Sequence, residues 1–252
     1  MTTEGAQPPT QSAEPPAHRG RPAAFFDVDG TLTKTTILHP YVYFRRAGMS
    51  SLMGRVWYAA FLIKCLIYLV LDKIDRNMLN VVFYRSYAGM SVAKTRNLAA
   101  SCHEAVIKPR QFQEVPACLA EQREAGRIIV LVTGSSDFII APLAKEFGAT
   151  DLIAPSLVEA NDRFTGKLTG PPIGGEEKAR RVRSYAEARG IDLAQSHAFG
   201  DSIADLPMLE RVGHPHAVNP DRTLGTVARE RGWPVHQWSI GKPVPPVGAP
   251  TT

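Results

Sequence analysis

Two patterns of apolar residues divide the chain. Residues 36–106 show the spacing of consecutive helices, with no convincing strand signal among them. From about residue 113 the pattern alternates between amphipathic segments and short apolar runs such as 128–132, which are typical of strands buried on both faces. This alternation predicts an α/β fold with a mostly parallel sheet. The helical stretch is then an insertion after the first strand, where it can cover the strand ends as a lid.

These patterns give the expected boundaries. Helices are predicted at 37–47, 51–72, 75–87, 91–106, 113–125, 137–147, 176–189, 203–211 and 221–231, and strands at 23–26, 128–132, 152–154, 197–199 and 217–218. We expect a core domain made of 23–35 and 113–238, with a helical cap made of 36–112. The Pro-rich ends, 1–22 and 239–252, are predicted to be disordered tails, and the first shows no signal-peptide segment.

Two carboxylates follow the first predicted strand directly. The apolar run Ala23 to Phe26 stops at Asp27 and Asp29, and Gly30 then marks a turn. Side chains at i and i+2 of an extended chain point to the same side, here at the edge where open α/β sheets bind ligands. Because two anions held this close repel each other, a hard cation such as Mg²⁺ would relieve the repulsion. These residues alone leave a solvated turn open as the alternative.

Three later segments also place polar residues at strand ends or helix starts. Thr133 and Gly134 follow the second strand, where backbone N–H groups can approach an anion. Asp201 and Asp205 follow a later short strand; Asp201 can complete a metal site with the first carboxylates, and Asp205 is placed to orient its neighbours. Lys178 lies near the start of a helix. Taken singly, each has a plain alternative, which is a helix cap or a solvated lysine.

Composition limits the class of protein and its partners. With 252 residues and 44% hydrophobic content, the chain can bury a large core. The formal net charge of +5 favours anionic ligands or membrane surfaces, but no Lys/Arg run or nucleic-acid motif is present, so no nucleic-acid partner is expected. Cys65, Cys102 and Cys118 form no close pair, which favours reduced cysteines in a cytoplasmic protein.

In order along the chain, these segments resemble the four motifs of the haloacid dehalogenase (HAD) superfamily. The motifs are Asp27-Val28-Asp29-Gly30-Thr31, then Thr133-Gly134, then Lys178, and finally Gly200-Asp201 with Asp205. The helical insertion between the first two motifs is similar to the cap of the phosphoserine phosphatase-like branch, subfamily IB. The resemblance implies a HAD-type Rossmann-like core with an all-helical cap, and the activity of a Mg²⁺-dependent phosphomonoester hydrolase.

The resemblance also implies the roles of the acidic residues. Asp27 would be the nucleophile that attacks phosphorus and forms an aspartyl phosphate. Asp29 would be the general acid/base that protonates the leaving oxygen and then activates water. Mg²⁺ would be held by the carboxylates of Asp27 and Asp201 and by the backbone carbonyl of Asp29.

The remaining motif residues would hold the phosphate or support the site. The resemblance places Thr133, Gly134 and Lys178 on the phosphoryl oxygens, with Asp205 as a supporting residue. The resemblance implies the reaction more strongly than it implies phosphoserine as the substrate. Residues 33–37 contain no glutamate to bind a substrate amine, and Arg85 aligns only loosely with the carboxylate-binding arginine of phosphoserine phosphatases. The resemblance therefore implies the reaction class more firmly than the substrate. For the substrate it implies only a small phosphorylated compound.

The predicted helix 51–72 allows other interpretations of the function. The predicted helix 51–72 contains the run 56–71, which is apolar all round except for Lys64 but is shorter than the roughly 20 residues that span a bilayer. Burial inside the cap, a homodimer interface and peripheral membrane contact all remain open. The alternatives to a small-molecule phosphatase are a membrane-associated phosphatase of a lipid-like phosphomonoester and a non-catalytic binding module that retains the fold.

Overall fold

A six-stranded parallel sheet forms the centre of the protein, and its strands lie in the spatial order 151–153, 128–132, 23–26, 197–200, 214–218 and 235–236. We analysed a computed structural model, which describes residues 20–74 and 76–241; for 67 and 69–77 the side chains are not described. A helical segment between residues 38 and 102 is inserted after the strand at 23–26. The predicted α/β fold with a helical insertion after the first strand is therefore confirmed.

The strands and helices have the following bounds. The strands are β1 (Ala23–Phe26), β2 (Ile128–Val132), β3 (Asp151–Ile153), β4 (Leu157–Ala160), β5 (Arg163–Leu168), β6 (His197–Gly200), β7 (His214–Val218) and β8 (Val235–His236). The α-helices are α1 (Leu38–Arg46), α2 (Ser51–Ile74), α3 (Arg76–Tyr84), α4 (Val92–Asn97), α5 (Ala99–Cys102), α6 (Val115–Glu124), α7 (Asp137–Glu146), α8 (Glu176–Arg189), α9 (Leu206–Leu209) and α10 (Arg222–Glu230).

The central strands are buried on both faces, which explains their continuous apolar sequence. All four residues of β1 and all five of β2 are buried, and the two strands pair in parallel from Ala23 opposite Ile128 to Phe26 opposite Leu131. On the other side, β1 pairs with β6. The three strands that precede the predicted motifs are thus neighbours, and their carboxyl ends meet at one edge of the sheet.

One predicted helix is interrupted in the structure, and one hairpin was missed. The predicted helix 91–106 is interrupted: α4 and α5 are followed by a π-helical turn at His103–Ile107 and a 3₁₀ turn at Lys108–Arg110, where Pro109 cannot donate a backbone hydrogen bond. The antiparallel hairpin β4-β5 was not predicted. Its turn residues Asn161 and Asp162 have φ of 49° and 54°, the conformation of a type I′ hairpin turn, which is the sequence signal that could have revealed it.

The inserted helices pack on their own aromatic cluster. Tyr41 of α1 lies 5.5 Å from Phe61 of α2 and 5.4 Å from Phe83 of α3, measured between ring centroids. The hairpin β4-β5 packs against this segment, since Gly89 N donates to Phe164 O at 2.8 Å. Backbone hydrogen bonds and apolar contacts thus hold the helical segment against the hairpin β4-β5.

The segments that lead into and out of the insertion run side by side. Lys34 N donates to Arg110 O at 2.7 Å, and Thr33 pairs with Gln111 in an isolated bridge. At the chain ends, the described residues 20–22 and 239–241 contact the core: Gly20 N donates to Gly190 O, and Gln113 N donates to Ser239 O. The rest of both predicted tails lies outside the described residues. Within the described part of the chain, no helix has the length and hydropathy needed to cross a membrane.

Candidate active site

The end of β1 places two carboxylates at the sheet edge. Asp27 continues the strand, since its N–H donates to Phe199 O at 3.0 Å, and its side chain is buried. Gly30 then turns the chain with a φ of +99°, and a Cβ at this position would collide with the carboxylate of Asp201. Only glycine fits this turn, because it combines a positive φ with close approach to the carboxylate on the next strand.

Lys178 joins two buried carboxylates. Its Nζ lies 2.5 Å from Asp27 Oδ1 and 2.6 Å from Asp205 Oδ1. Burial disfavours the ammonium charge, but Asp205 and Asp27 outweigh it and raise the pKa of Lys178. Burial raises the pKa of Asp27 to about 6, with Lys178 opposing the rise. Asp205 is also buried, but Lys178 and the hydrogen bonds from Ser202 hold its pKa below the usual value.

Thr31 links the carboxylates of two strands. Its hydroxyl lies 3.1 Å from Asp27 Oδ2 and 3.4 Å from Asp201 Oδ1. The carboxylate oxygens of Asp27, Asp201 and Asp205 all lie within 4.8 Å of one another. This set of hard oxygen donors fits a divalent cation such as Mg²⁺. It fits in charge as well, because the four carboxylates that line the cavity, Asp29 included, face one lysine there.

The carboxylate of Asp29 is held by two hydroxyl groups from different segments. Thr35 Oγ1 donates to Asp29 Oδ1 at 2.6 Å, and Ser135 Oγ donates to Asp29 Oδ2 at 2.5 Å. Thr33 Oγ1 lies 2.6 Å from Thr35 Oγ1 and extends this network into the buried interior. Each oxygen of Asp29 therefore has a fixed partner, and the side chain is held in one orientation toward the cavity.

The loop after β2 is anchored from both sides. Ser135 N donates to Thr133 Oγ1 at 3.0 Å, so the buried threonine side chain braces its own loop. From the helical insertion, the Tyr84 hydroxyl donates to Gly134 O at 2.7 Å. Burial, with Asp29 nearby, raises the pKa of Tyr84, so the phenol remains protonated and can donate at neutral pH.

A cavity of about 470 Å³ lies between the sheet edge and the inserted helices. The core side of its wall carries the acidic residues and Lys178. The side contributed by 36–112 is uncharged among the described residues, and consists of Thr36, Ile37, Leu38, Cys65, Tyr68, Leu79 and Asn80. The cavity thus has a charged floor and a mostly apolar roof.

The comparisons with known proteins agree with this geometry. A family model for haloacid dehalogenase-like hydrolases matches residues 24–210. The chain belongs to this hydrolase family. Among relatives of this hydrolase, a probable phosphatase of Mycobacterium tuberculosis is 33% identical over 241 residues, which cover 92% of the chain and 81% of the relative. Phosphoserine phosphatase SerB1 of the same species is 30% identical over 237 residues, covering 91% and 75%.

A solved structure shows the same fold. It is a phosphoserine phosphatase with an analogue of its phospho-aspartyl intermediate, and it matches the hydrolase with a TM-score of 0.61 at 16% identity, covering 87% of this chain and 94% of that one. The shared fold agrees with the family match, and the similarity to SerB1 places the chain in the phosphoserine phosphatase-like branch of the haloacid dehalogenase-like hydrolases, as the motif order predicted.

The structure brings most of the predicted site residues of this hydrolase together. Asp27, Asp29, Gly134, Lys178, Asp201 and Asp205 all line the cavity. Thr133 is buried directly behind the loop, where its hydroxyl accepts from Ser135 N. Arg85 does not join them, because it is exposed on a 3₁₀ turn and is not among the residues that line the cavity. Its predicted contact with substrate therefore gains no support from the geometry.

Sequence reasoning missed several contributors to the site. Thr35 and Ser135 hold Asp29, Asn80 lines the cavity from the roof, and Tyr84 anchors the loop at Gly134. The available signal for the first two was their type and place, since small hydroxyl residues lay in the loops that follow β1 and β2. Nothing local in the sequence marks Asn80 or Tyr84, because their positions depend on how α3 packs over the sheet.

Proposed function

We propose that the protein is a Mg²⁺-dependent phosphomonoester hydrolase that works through an aspartyl phosphate on Asp27. The observation that carries the proposal is the pairing of a buried carboxylate with Lys178 at 2.5 Å on the floor of a cavity that also presents Asp29. A buried lysine that holds two carboxylates keeps Asp27 in one position, ready to attack an incoming phosphorus atom.

In the first step, a carboxylate oxygen of Asp27 attacks phosphorus and the bond from phosphorus to the ester oxygen breaks. Asp29, in its protonated form, gives its proton to the leaving oxygen, so that a neutral alcohol departs. In the second step, water attacks the phosphorus of the acyl phosphate and Asp29 accepts a proton from it. The carboxylate of Asp27 leaves, inorganic phosphate is released, and the enzyme returns to its starting state.

The other residues bind and orient the phosphoryl group. We assign Lys178 and the backbone N–H of Gly134 to its oxygens, because both residues line the floor of the cavity. Thr133 supports this loop from behind, since its N–H donates to Ile153 O and its hydroxyl accepts from Ser135 N. The carboxylates of Asp27 and Asp201 and the backbone carbonyl of Asp29 are the ligands we propose for Mg²⁺. When bound, Mg²⁺ supplies positive charge that keeps the carboxylates ionised and offsets the charge of the phosphoryl group.

The substrate is a small phosphorylated compound whose leaving group is not a free amino acid. The roof that would contact the leaving group carries no charged side chain among its described residues, and the loop 33–37 contains no acidic residue. A zwitterion would therefore lose its hydration without gaining an ionic partner on that side. In the same proposal, 23–35 with 113–238 is the core and 36–112 is the cap that excludes water.

The test is phosphate release from p-nitrophenyl phosphate and from phosphoserine, with Mg²⁺ and after removal of Mg²⁺ by a chelator. Wild-type protein should release phosphate only with Mg²⁺, and Asp27→Asn should reduce kcat by at least about 10⁴-fold, since it removes the nucleophile. Asp162→Asn serves as the matched control, because it makes the same change at an exposed position in the turn of the hairpin β4-β5, outside the cavity. A chain without Asp27-dependent release from any phosphomonoester would instead be the non-catalytic binding module.

A further inference from the structure

A second cavity adjoins the active-site cavity. It has a volume of about 750 Å³ and lies between α1 and α2. Thr36, Leu38 and Cys65 line both cavities, so they form the boundary that the two cavities share. The second cavity reaches Tyr58 and Leu62 of α2, which are exposed at the surface. The second cavity thus extends from the neighbourhood of the phosphate site to the outside of the helical insertion, and both apolar side chains such as Leu38 and Leu62 and the basic Arg46 and Arg110 line it.

The second cavity ends beside an exposed apolar face of α2. Leu52, Val56, Ile63 and Leu66 are exposed to between 62% and 72%, and their spacing of four, seven and three residues places them on one side of the helix. The opposite side of α2 is already occupied, since Trp57, Phe61 and Tyr68 pack into the aromatic cluster of the insertion. α2 is therefore apolar on two sides, and only one of them is covered within the chain.

Charge distinguishes between the possible occupants of this face. From Gly30 to Leu71 the sequence has no Asp or Glu but five Lys and Arg, which equals the formal net charge of the whole chain. Two copies of the chain that met face to face across a twofold axis would bring these like charges together. An anionic lipid surface accepts both the apolar stripe and the basic residues around it, such as Arg46 and Arg55.

We propose that the exposed face of α2 lies on an anionic membrane surface and that the substrate is a single-chain amphiphilic phosphomonoester. Its phosphate lies at Asp27, and its hydrocarbon chain passes Leu38 and Cys65 into the cavity between α1 and α2. This inference rests on the proposed hydrolase activity and names the class of its leaving group. The uncharged roof of the active-site cavity then contacts the first carbons of the chain rather than a polar group.

The first experiment compares two substrates that share a phosphate end. Hydrolysis of oleoyl lysophosphatidate is measured against glycerol 3-phosphate at concentrations below micelle formation, with p-nitrophenyl phosphate as the general phosphatase control. The wild type should show a kcat/KM more than about 100-fold higher for the acylated compound, because many methylene groups leave water. Cys65→Trp, which adds bulk at the boundary between the two cavities, should reduce that ratio at least about tenfold, whereas Cys65→Ser should preserve it.

The second experiment measures flotation with vesicles of phosphatidylcholine, alone or with about one third phosphatidylglycerol. Wild-type protein should float with the anionic vesicles and dissociate at raised salt. The double variant Leu52→Glu with Ile63→Glu should not float. Val235→Glu is the matched control, because it adds a charge at an exposed apolar position on β8 of the core and should float like wild type.

The outcomes separate this inference from the proposed function. If no substrate is hydrolysed in an Asp27-dependent way, the proposed function itself is wrong. If p-nitrophenyl phosphate is hydrolysed but the acylated and plain glycerol phosphates have equal kcat/KM, the substrate class is wrong and the phosphatase remains. If vesicles are not bound and the charged α2 variant instead dissociates a dimer, the face is a contact between copies and the inference is overturned.

Discussion

At the scale of single residues, the candidate site depends on side chains that hold the reacting carboxylates in place. Lys178 fixes Asp27, and the hydroxyl groups of Thr35 and Ser135 fix Asp29. Of these, Lys178 was predicted from its place in the motif order, and the two hydroxyl residues were not. A motif specifies which residue reacts, but the partners that orient it come from loops brought together only by the parallel sheet.

The hydroxyl groups around Asp29 should be positioning residues for proton transfer. Ser135→Ala and Thr35→Val each remove one partner and free the carboxylate to rotate, so kcat should fall by about 10- to 100-fold while KM changes little. Ser135→Thr keeps the hydroxyl and should retain most of the rate. The measurement is steady-state kinetics on p-nitrophenyl phosphate with Mg²⁺. A change in KM without a fall in kcat would contradict positioning through the hydroxyl. So would equal losses of kcat in Ser135→Thr and Ser135→Ala.

At the scale of elements, the pattern of apolar residues predicted the parts of the fold that are buried on both faces. β1 and β2 appear where continuous apolar runs placed them. The helix α8 also has the predicted bounds, and it ends at Gly190, which has a left-handed conformation. The hairpin β4-β5 was missed because one of its faces is exposed, and its alternation is short and interrupted by Gly166. That glycine has a φ of +78°, and a Cβ there would press on the backbone of Arg85.

Three neighbouring strands also carry a row of histidines. His197 Nδ1 lies 2.9 Å from His216 Nε2, and His216 Nδ1 lies 3.0 Å from His236 Nε2. Burial lowers the pKa of His216 to about 3, with His197 and His236 adding to the effect, and lowers the pKa of His197 to about 4 with help from Arg127. These imidazoles are therefore neutral at pH 7, as a chain of N–H to N hydrogen bonds requires.

This row should make the protein sensitive to acid. Because the folded-state pKa values lie below the ordinary value of 6.5, the unfolded chain binds more protons below that pH. The stability that the neutral histidines contribute is fully present above pH 6.5 and is lost as the pH falls toward 4. The measurement is the melting temperature across that range, which should decline with falling pH.

Two substitutions test this origin of the acid sensitivity. His216→Phe keeps a ring against Phe199 but removes the central titrating group, so its melting temperature should be lower at pH 7 and should change less between pH 6.5 and 4. His214→Gln, at an exposed position of β7, removes only a small contribution to the lowered pKa values of His197 and His216 and should keep most of the wild-type slope. A wild-type slope in His216→Phe would assign the acid sensitivity to other groups, such as the buried carboxylates.

At the scale of the whole molecule, the site lies where the inserted helices close over the carboxyl edge of the sheet. The motif order predicted the floor of the cavity, because parallel strands bring their ends together. The roof could not be predicted, since it depends on how α2 and α3 pack, and a 3.6-residue period does not say which of two apolar faces turns inward. For the same reason, the sequence could not predict which side of α2 is exposed. In the structure the exposed side carries Leu52, Val56, Ile63 and Leu66.

The proposed aspartyl phosphate is tested by detecting the phosphoryl group on the enzyme itself. Wild-type protein is mixed with a phosphomonoester and Mg²⁺, quenched in acid within the first turnover, digested and analysed by mass spectrometry. We expect one phosphoryl group on the peptide that contains Asp27, lost on treatment with hydroxylamine, and no such label in Asp27→Asn. Phosphate release by the wild type with no label at Asp27, or continued turnover by Asp27→Asn, would contradict the proposed aspartyl phosphate.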